Sequence, residues 1–423
     1  MKGPILILCF CSVVFLLLYG KFGDLASQSQ YETLLGRISW PDLGANIDTP
    51  SFHTTRKPRR NRKLIVPPDS DNDYTELDVF PFDRTPIGRP KIIFWGSRVF
   101  SEKMPVNFQQ SCPEMKYRCI FHSDQSLIAD ADAVIFHEAD TPLQKAKLLQ
   151  IPRKPHQRFI WYTLESPANT HRPLDNYPAH FFNWTMTYLP EADVYYPYDA
   201  AWITKKVAER KNVPFNPPVI PDKEISKNRS LQIIGMISNN VHMRLKFITD
   251  LHKKVNVALL GAAAFEEKWR NICPRSEGNA CIKKLVEDSY FFIALENSIC
   301  TWYTTEKYFG RAAWNSVPIV WARESGGNKI FPPKSVIFVE DYQSYEEMAN
   351  HLKYLMRNAT AYAEYFEWRK THTMGNRGKT QECALCKRLL ADDGAFKTYE
   401  SPISWYSEHS ACSSEVPDRF LQN

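Results

Sequence analysis

The densest group of polar side chains embedded in apolar sequence follows Tyr290-Phe291-Phe292-Ile293-Ala294-Leu295. It runs Glu296-Asn297-Ser298, then Ile299-Cys300-Thr301-Trp302-Tyr303-Thr304-Thr305-Glu306-Lys307. A buried strand would deliver Glu296, Asn297 and Ser298 at its carboxyl end. A loop would then lead to a helix whose first turn carries Glu306 and Lys307. The free N–H groups and positive dipole end of such a helix suit a phosphate. Lys307 adds a mobile cation, and Glu306 can accept a hydrogen bond from a ribose or sugar hydroxyl. The same residues also read as an ordinary capped helix, with Thr305 as cap and Glu306 as dipole partner.

Two more residues sit where a ligand would meet them. Arg244 falls in the first turn or so after the apolar run 231–237, and its planar fork matches phosphate oxygens; a surface helix arginine is the plainer alternative. Glu165, in Trp161-Tyr162-Thr163-Leu164-Glu165-Ser166-Pro167, ends another strand that Ser166-Pro167 stops sharply. A carboxylate facing a cleft from there can act as general base toward an incoming hydroxyl, or it is only a loop acid. Other chemistries fare worse. Asp130-Ala131-Asp132 has the form of a manganese-binding DxD but runs straight into a strand at 133–136, as a polar strand entrance does. Cys383-Ala384-Leu385-Cys386 lacks the second CxxC or His pair of a zinc site, and no thioredoxin-like strand precedes it. The motifs GxSxG, GxxxxGK[ST] and HExxH are absent.

The elements that must position these residues fall into two series. The first has strands at 91–95, 117–121, 133–136 and 158–163, a helix at 142–149, and continues at 183–188 and 194–196. A Pro-rich break at 214–221 follows. The second restarts with a strand at 231–237 ending in Ser238-Asn239-Asn240, then a helix at 241–251 with Val241, Leu245, Ile248 and Leu251 on one face. Strands at 255–260 and 290–295, a helix at 305–314, strands at 317–321 and 336–339, and a mostly helical stretch at 345–366 complete it. Strands alternating with helices imply parallel sheets, and two such series imply two doubly wound α/β domains with a ligand-binding cleft between them.

The chain has 423 residues, 43% hydrophobic and 24% charged, which excludes wholesale disorder, collagen and a multi-span membrane protein. Its net charge of +6 resides in the run Arg56-Lys57-Pro58-Arg59-Arg60-Asn61-Arg62-Lys63; the rest is neutral, so the charge gives no case for nucleic acid. Residues 3–20 are apolar apart from Ser12, near the lower limit for a spanning helix. They read as a type II signal anchor, a cleaved signal peptide being the alternative, and the short span suits the early secretory pathway. Residues 21–88 read as a stem. Its basic run has proprotein-convertase spacing, though a solvated linker explains it. Asn183-Trp184-Thr185, Asn228-Arg229-Ser230 and Asn358-Ala359-Thr360 are glycosylation acceptors consistent with a lumenal body. Of ten cysteines, Cys9 and Cys11 lie in the apolar run; the other eight are compatible with disulfides.

Together these segments resemble the alpha-1,3/4-fucosyltransferases, glycosyltransferase family 10, whose donor signature is close to FENSxxxDYxTEKxxxNAxxxGxVPVV. Here it reads Leu295-Glu296-Asn297-Ser298, Tyr303-Thr304-Thr305-Glu306-Lys307 and Arg311-Ala312 through Val317-Pro318-Ile319-Val320. The family's FESP and FNWTxxYxxxxDVxxPY segments appear as Leu164-Glu165-Ser166-Pro167, Phe182-Asn183-Trp184-Thr185 with Tyr188, and Asp193-Val194 with Pro197-Tyr198. A late YFxWR matches Tyr365-Phe366-Glu367-Trp368-Arg369, and the terminal CxxC is Cys383 and Cys386. The similarity covers roughly residues 90–390.

The resemblance implies a GT-B fold: two Rossmann-like domains facing a cleft, after the transmembrane helix and stem. Residues 1–20 would be the anchor, 21–88 the stem, 89–220 the acceptor-side domain, 221–400 the GDP-fucose domain and 401–423 a tail. By motif position Arg244 and Lys307 would hold the pyrophosphate, Asn297, Tyr303 and Glu306 would line the donor site, and Glu165 would be the base. Cys112 and Cys119 would bridge to Cys383 and Cys386. The implied reaction moves L-fucose, with inversion, from GDP-β-L-fucose to the 3-hydroxyl of N-acetylglucosamine in glycoprotein or glycolipid glycans, on the lumenal side of the Golgi membrane. No cofactor is required for that chemistry, a divalent cation being at most stimulatory, and the metal-site expectation is none. The competing readings are a catalytically silent glycan-binding protein and a fucosyltransferase acting directly on protein. Three departures bear on donor binding: Trp302 stands where the family often has Asp, Asn315-Ser316 replaces an Ala-Gly pair, and Cys300 adds a thiol beside the donor loop.

Overall fold

The computed structural model describes residues 89–95, 112, 118–139, 149–170, 177–198, 202–210, 214–218, 228–237, 241–273, 278–321, 323–375 and 381–413. The anchor and stem readings, Cys9 and Cys11, Ser238 to Asn240 and all but the last residue of the helix at 142–149 lie outside them. Among the described residues no helix is long and apolar enough to cross a membrane.

The first sheet is six-stranded and parallel: β1 (Lys91–Trp95), β2 (Cys119–His122), β3 (Ala133–His137), β4 (Arg158–Tyr162), β5 (Trp184–Thr187) and β6 (Val194–Tyr195), in the order β2-β1-β3-β4-β5-β6. Its central strands are buried on both faces, so they read as unbroken apolar runs rather than alternating ones. Ile93, Ile135, Ile160 and Tyr162 point to one core; Phe94, Val134, Phe136, Phe159 and Trp161 point to the other. Asp132 seals the entrance to β3, accepting from Arg89 at 2.8 and 3.0 Å, from Lys91 at 3.4 Å and from the Ile92 amide at 2.8 Å. Asp130 instead points outward to Lys154, so the strand-entrance reading of Asp130-Ala131-Asp132 is the one the geometry supports.

The second sheet is also parallel. It comprises β8 (Leu231–Met236), β9 (Val257–Leu260), β10 (Ser289–Ile293), β11 (Val317–Val320) and β12 (Ile337–Phe338), in the order β12-β11-β10-β8-β9. One face packs on α2 (His242–His252) and α5 (Tyr345–Arg357). Ser344 caps α5 through the Glu347 amide while Glu347 reaches back past the cap to the Gln343 amide, so both ends of this turn are tied by side chains. The strand order reverses at β8, between β9 and β10, and the carboxyl ends flanking such a reversal are where open sheets bind ligands.

The chain passes between the two sheets more than once. Strand β7 (Trp202–Thr204) precedes the Pro-rich break, yet it pairs antiparallel with β13 (His372–Met374), and Trp202 packs on Trp368 in the second sheet's core. Conversely, α7 (Gln381–Leu390) and α8 (Pro402–Ser410) return to the first sheet: Cys383, Leu385, Cys386 and Leu389 join one face, Tyr406 the other. The packing boundaries therefore differ from those read at 220 and 400. Disulfides Cys112–Cys383 and Cys119–Cys386 fasten α7 to the first sheet, as the resemblance implied. Cys273–Cys281 and Cys300–Cys412 are also formed, so the thiol noted at Cys300 beside the donor loop is engaged in a disulfide.

Candidate active site

The helix read over 305–314 is a single turn, α4 (Glu306–Phe309). Gly310 ends it where a Cβ would lie 2.6 Å from the Glu306 carbonyl oxygen. The next carbonyls are taken by Arg369, which donates to Ala312 at 3.2 Å, Trp314 at 2.6 Å and the Asn315 side chain at 3.2 Å. A four-residue helix carries little macrodipole, so the turn presents chiefly its side chains rather than the helix N-terminus expected to meet an anion.

Those side chains are organised by Glu296, which sequence reading left without a role. It is 4% exposed. Thr305 donates to it from its amide at 2.7 Å and its hydroxyl at 2.9 Å, and Lys307 Nζ lies 3.1 Å away. Burial pushes this carboxyl upward against the pull of Lys307. Burial lowers the Lys307 ammonium too, but the charges of Glu296 and Glu306 outweigh it and hold Lys307 above its ordinary value. The geometry decides for an ionised pair, because two Thr305 donors and an ammonium all converge on Glu296. Glu306 is exposed and lies 3.5 Å from Nζ. Arg244 is buried on α2 and donates to the Leu295 carbonyl at 3.2 Å. Burial lowers its pKa against the opposing pull of Glu296, Tyr303, Glu165 and Glu306, which places it in the same field. Arg311, also missed, donates to the Glu306 and Lys307 carbonyls at 3.4 and 3.2 Å.

Glu165 enters from beyond β4. Its Oε1 accepts from Tyr303 at 2.5 Å, Asn297 Nδ2 at 3.0 Å and the Ser166 amide at 3.1 Å. All three fall on Oε1, and among the described residues no hydrogen bond falls on Oε2. Ser298 donates to Ser166 Oγ at 2.6 Å, so the ends of β4 and β10 are joined beside the carboxylate. Tyr303 packs among Tyr188 and Tyr198, with ring centroids 5.0 and 6.0 Å away. Burial, with Tyr198 and Glu165 adding to it, drives its hydroxyl far up, so it remains a donor. Glu165, Arg244, Asn297, Tyr303, Glu306 and Lys307 are thus gathered around one locus. Asn297 and Tyr303, expected to line a donor site, are spent here on the carboxylate.

Trp302 takes a left-handed backbone (φ 63°) and stacks on the backbone of Gly326, where a Cβ would meet the ring at 3.3 Å. The glycosylation reading is corrected at Asn183. It is 1% exposed; its carbonyl accepts from Arg153 and the Phe159 amide, and its amide donates to the Lys397 carbonyl at 3.0 Å, so no sugar can reach it. Asn228 is exposed, and Asn358 caps α6 (Ala359–Ala363) at the surface. Among the described residues no group of three or more His, Cys, Asp or Glu is placed to hold a metal ion.

The model for the glycosyltransferase family 10 (fucosyltransferase) C-terminal region matches residues 226–405, and the model for the fucosyltransferase N-terminal region matches 88–199. The chain belongs to glycosyltransferase family 10. Each of the family's two models contains one of the two strand ends that meet at Glu165. Alpha-(1,3)-fucosyltransferase fut-5 of Caenorhabditis elegans is 29% identical over 345 residues, covering 78% of this chain and 87% of that one. The 4-galactosyl-N-acetylglucosaminide 3-alpha-L-fucosyltransferase 9 of Bos taurus is 33% identical over 264 residues, covering 60% and 65%. A crystal structure of an alpha1,3-fucosyltransferase is 17% identical, covers 76% of this chain and 97% of its own, and has a TM-score of 0.47. Within this family 10 member the assignment rests on the sequence matches.

Proposed function

We propose that this chain is an alpha-1,3-fucosyltransferase that transfers L-fucose from GDP-β-L-fucose, with inversion, to the 3-hydroxyl of N-acetylglucosamine in a glycan. Family membership supplies the reaction class. The observation that supports the mechanism is Glu165, gripped on Oε1 by Tyr303, Asn297 and the Ser166 amide, with no hydrogen bond on Oε2 among the described residues. Glu165 takes the acceptor proton as the new C–O bond forms, through an oxocarbenium-like transition state. The leaving diphosphate gains charge as the old bond breaks, and Arg244 and Lys307 stabilise it. Lys307 makes room by giving up its 3.5 Å contact with exposed Glu306 rather than its bond to buried Glu296. The two sheets form a GT-B arrangement in this reading, the apolar run at 3–20 anchors the chain as a type II protein in the Golgi membrane, and the body is lumenal.

Soluble protein from residue 65 onward, incubated with GDP-fucose and a panel of glycans and peptides, tests the proposal. Fucose should appear on O3 of N-acetylglucosamine in terminal N-acetyllactosamine, its GalNAc analogue or the N-glycan core. Glu165→Gln should lower kcat by about 10²–10⁴-fold and leave GDP affinity unchanged. Transfer to peptide alone, or wild-type turnover in Glu165→Gln, would overturn it.

A further inference from the structure

The C-terminal segment grips the proposed base from two sides. Tyr406, on α8, is 1% exposed, and its hydroxyl donates to the main-chain carbonyl of Glu165 at 2.6 Å. Its ring meets Trp161 of β4 edge-on at 5.2 Å and Tyr188 at 5.7 Å, so the hydroxyl is aimed by packing rather than free to rotate away. Tyr188 in turn reaches Ser410, at the end of the same helix, at 3.3 Å.

Just beyond α8 the segment takes hold of the loop that carries Tyr303. Cys412 is bonded to Cys300. Ile299 and Ser413 exchange both main-chain hydrogen bonds, at 3.3 and 2.7 Å, and the Thr301 amide donates to the Ser410 carbonyl at 2.7 Å. Trp302, in the middle of this loop, is held left-handed, a conformation that is strained for a bulky residue and persists only where the surroundings impose it. The loop ends on Tyr303, whose hydroxyl meets Glu165 Oε1. One stretch of about a dozen residues thus fixes Glu165 at its carbonyl directly and at its carboxylate through the Cys300–Cys412 clasp.

We infer that Tyr406 is a positioning residue for Glu165, and that the Cys300–Cys412 clasp does the same work through Tyr303. The inference rests on Glu165 being the base. Misplacing a reacting group by about 1 Å can cost about 10²-fold in rate, and loss of one neutral hydrogen bond corresponds to about 2–12-fold.

Tyr406→Phe keeps the ring packing and removes only the hydroxyl. Its kcat should fall about five- to tenfold, with KM for GDP-fucose, GDP affinity and the melting temperature little changed. Placed in a Glu165→Gln background, the same substitution should alter the residual rate by less than about twofold, because two residues that act as a unit are not additive. Wild-type kcat in Tyr406→Phe overturns the inference, and so does an equal fold-loss in the Glu165→Gln background. Should Tyr406→Phe fold poorly, Cys300→Ser with Cys412→Ser leaves Tyr406 in place and must also lower kcat; wild-type kcat there overturns the inference. Full turnover in Glu165→Gln alone would instead remove the base, whereas its collapse beside an unaffected Tyr406→Phe would remove only the positioning role.

Discussion

Replacing Lys307 by methionine separates its structural work from the donor-binding role proposed for it. Its Nζ lies 3.1 Å from Glu296 Oε2, and the two side chains are 26% and 5% exposed. Removing one partner of a buried ion pair costs about 3–5 kcal/mol, because the other charge is left buried. Here Lys307 is partly solvated and Thr305 still donates two hydrogen bonds to the carboxylate, so about 2–3 kcal/mol is expected at pH 8. For a body of this size that is about 5 °C in melting temperature. The loss should depend on pH with a definite sign. Without the ammonium, the folded-state pKa of Glu296, already raised by burial, rises further. The folded variant then binds a proton that the unfolded chain has shed, so its stability falls as pH rises through that window. The deficit should therefore shrink between pH 8 and pH 5.5. The wild type also draws stability from the raised Lys307 pKa, present below the unfolded lysine value and lost as pH rises through the folded one; the variant lacks that alkaline limb.

Adding Glu296→Gln provides the control. A glutamine can accept from the Thr305 amide and donate to its hydroxyl without a buried charge, so the double variant should recover to within about 1 kcal/mol of wild type and lose the pH slope. It should not recover donor binding, because the phosphate partner is still missing; a charge-assisted bond of about 1.5–3 kcal/mol predicts about 10–100-fold weaker GDP affinity. Thermal unfolding at the two pH values and calorimetric titration with GDP read both quantities. A Lys307→Met protein as stable as wild type at pH 8, or one whose deficit is unchanged at pH 5.5, refutes the buried-pair reasoning. Undiminished GDP affinity refutes the phosphate role separately.

Tyr303→Phe removes one of the three donors to Glu165 Oε1 and should lower kcat by about 10-fold or more; unchanged GDP affinity would place Tyr303 with the base, and a parallel loss of affinity would place it with the donor. Peptide mapping of protein secreted from eukaryotic cells should find glycan at Asn228 and Asn358 and none at Asn183. A sugar on Asn183 would require the Lys397 and Phe159 contacts to be broken, contrary to the packing described above.

The strands were legible because burial on both faces writes them as continuous apolar runs, as in Phe159-Ile160-Trp161 and Phe291-Phe292-Ile293. Site residues at their carboxyl ends, Glu165 and Asn297, followed from the same reading. What the sequence hid depends on partners far along the chain. The helix at 305–314 stops early because Arg369 captures the carbonyls beyond Gly310, and no local residue announces that. Helix α8 buries Pro402, Tyr406 and Ser410 at intervals of four, too thin a stripe to declare which sheet it covers, and the ring that Tyr406 meets belongs to β4. Cys300 looked like a surplus thiol until Cys412 lay beside it.

Glu296 was hidden for a different reason. A polar residue at the carboxyl end of a strand is ambiguous between ligand and scaffold, and burial resolves it: a carboxylate at 5% side-chain exposure is far costlier to strip of its partners than one at 66%. Of the two acids that share Lys307, Glu306 is therefore the one that the diphosphate of the proposed reaction would displace, and Glu296 the one that keeps the ammonium charged and in place. The same local pairing keeps the cations of this cluster out of the chain's net charge. Arg244, Lys307 and Arg311 each sit in the field of Glu296 and Glu306, so the site gathers positive charge without displaying an excess of it. In the proposed reaction its affinity for the diphosphate would then depend on how readily exposed Glu306 yields its place.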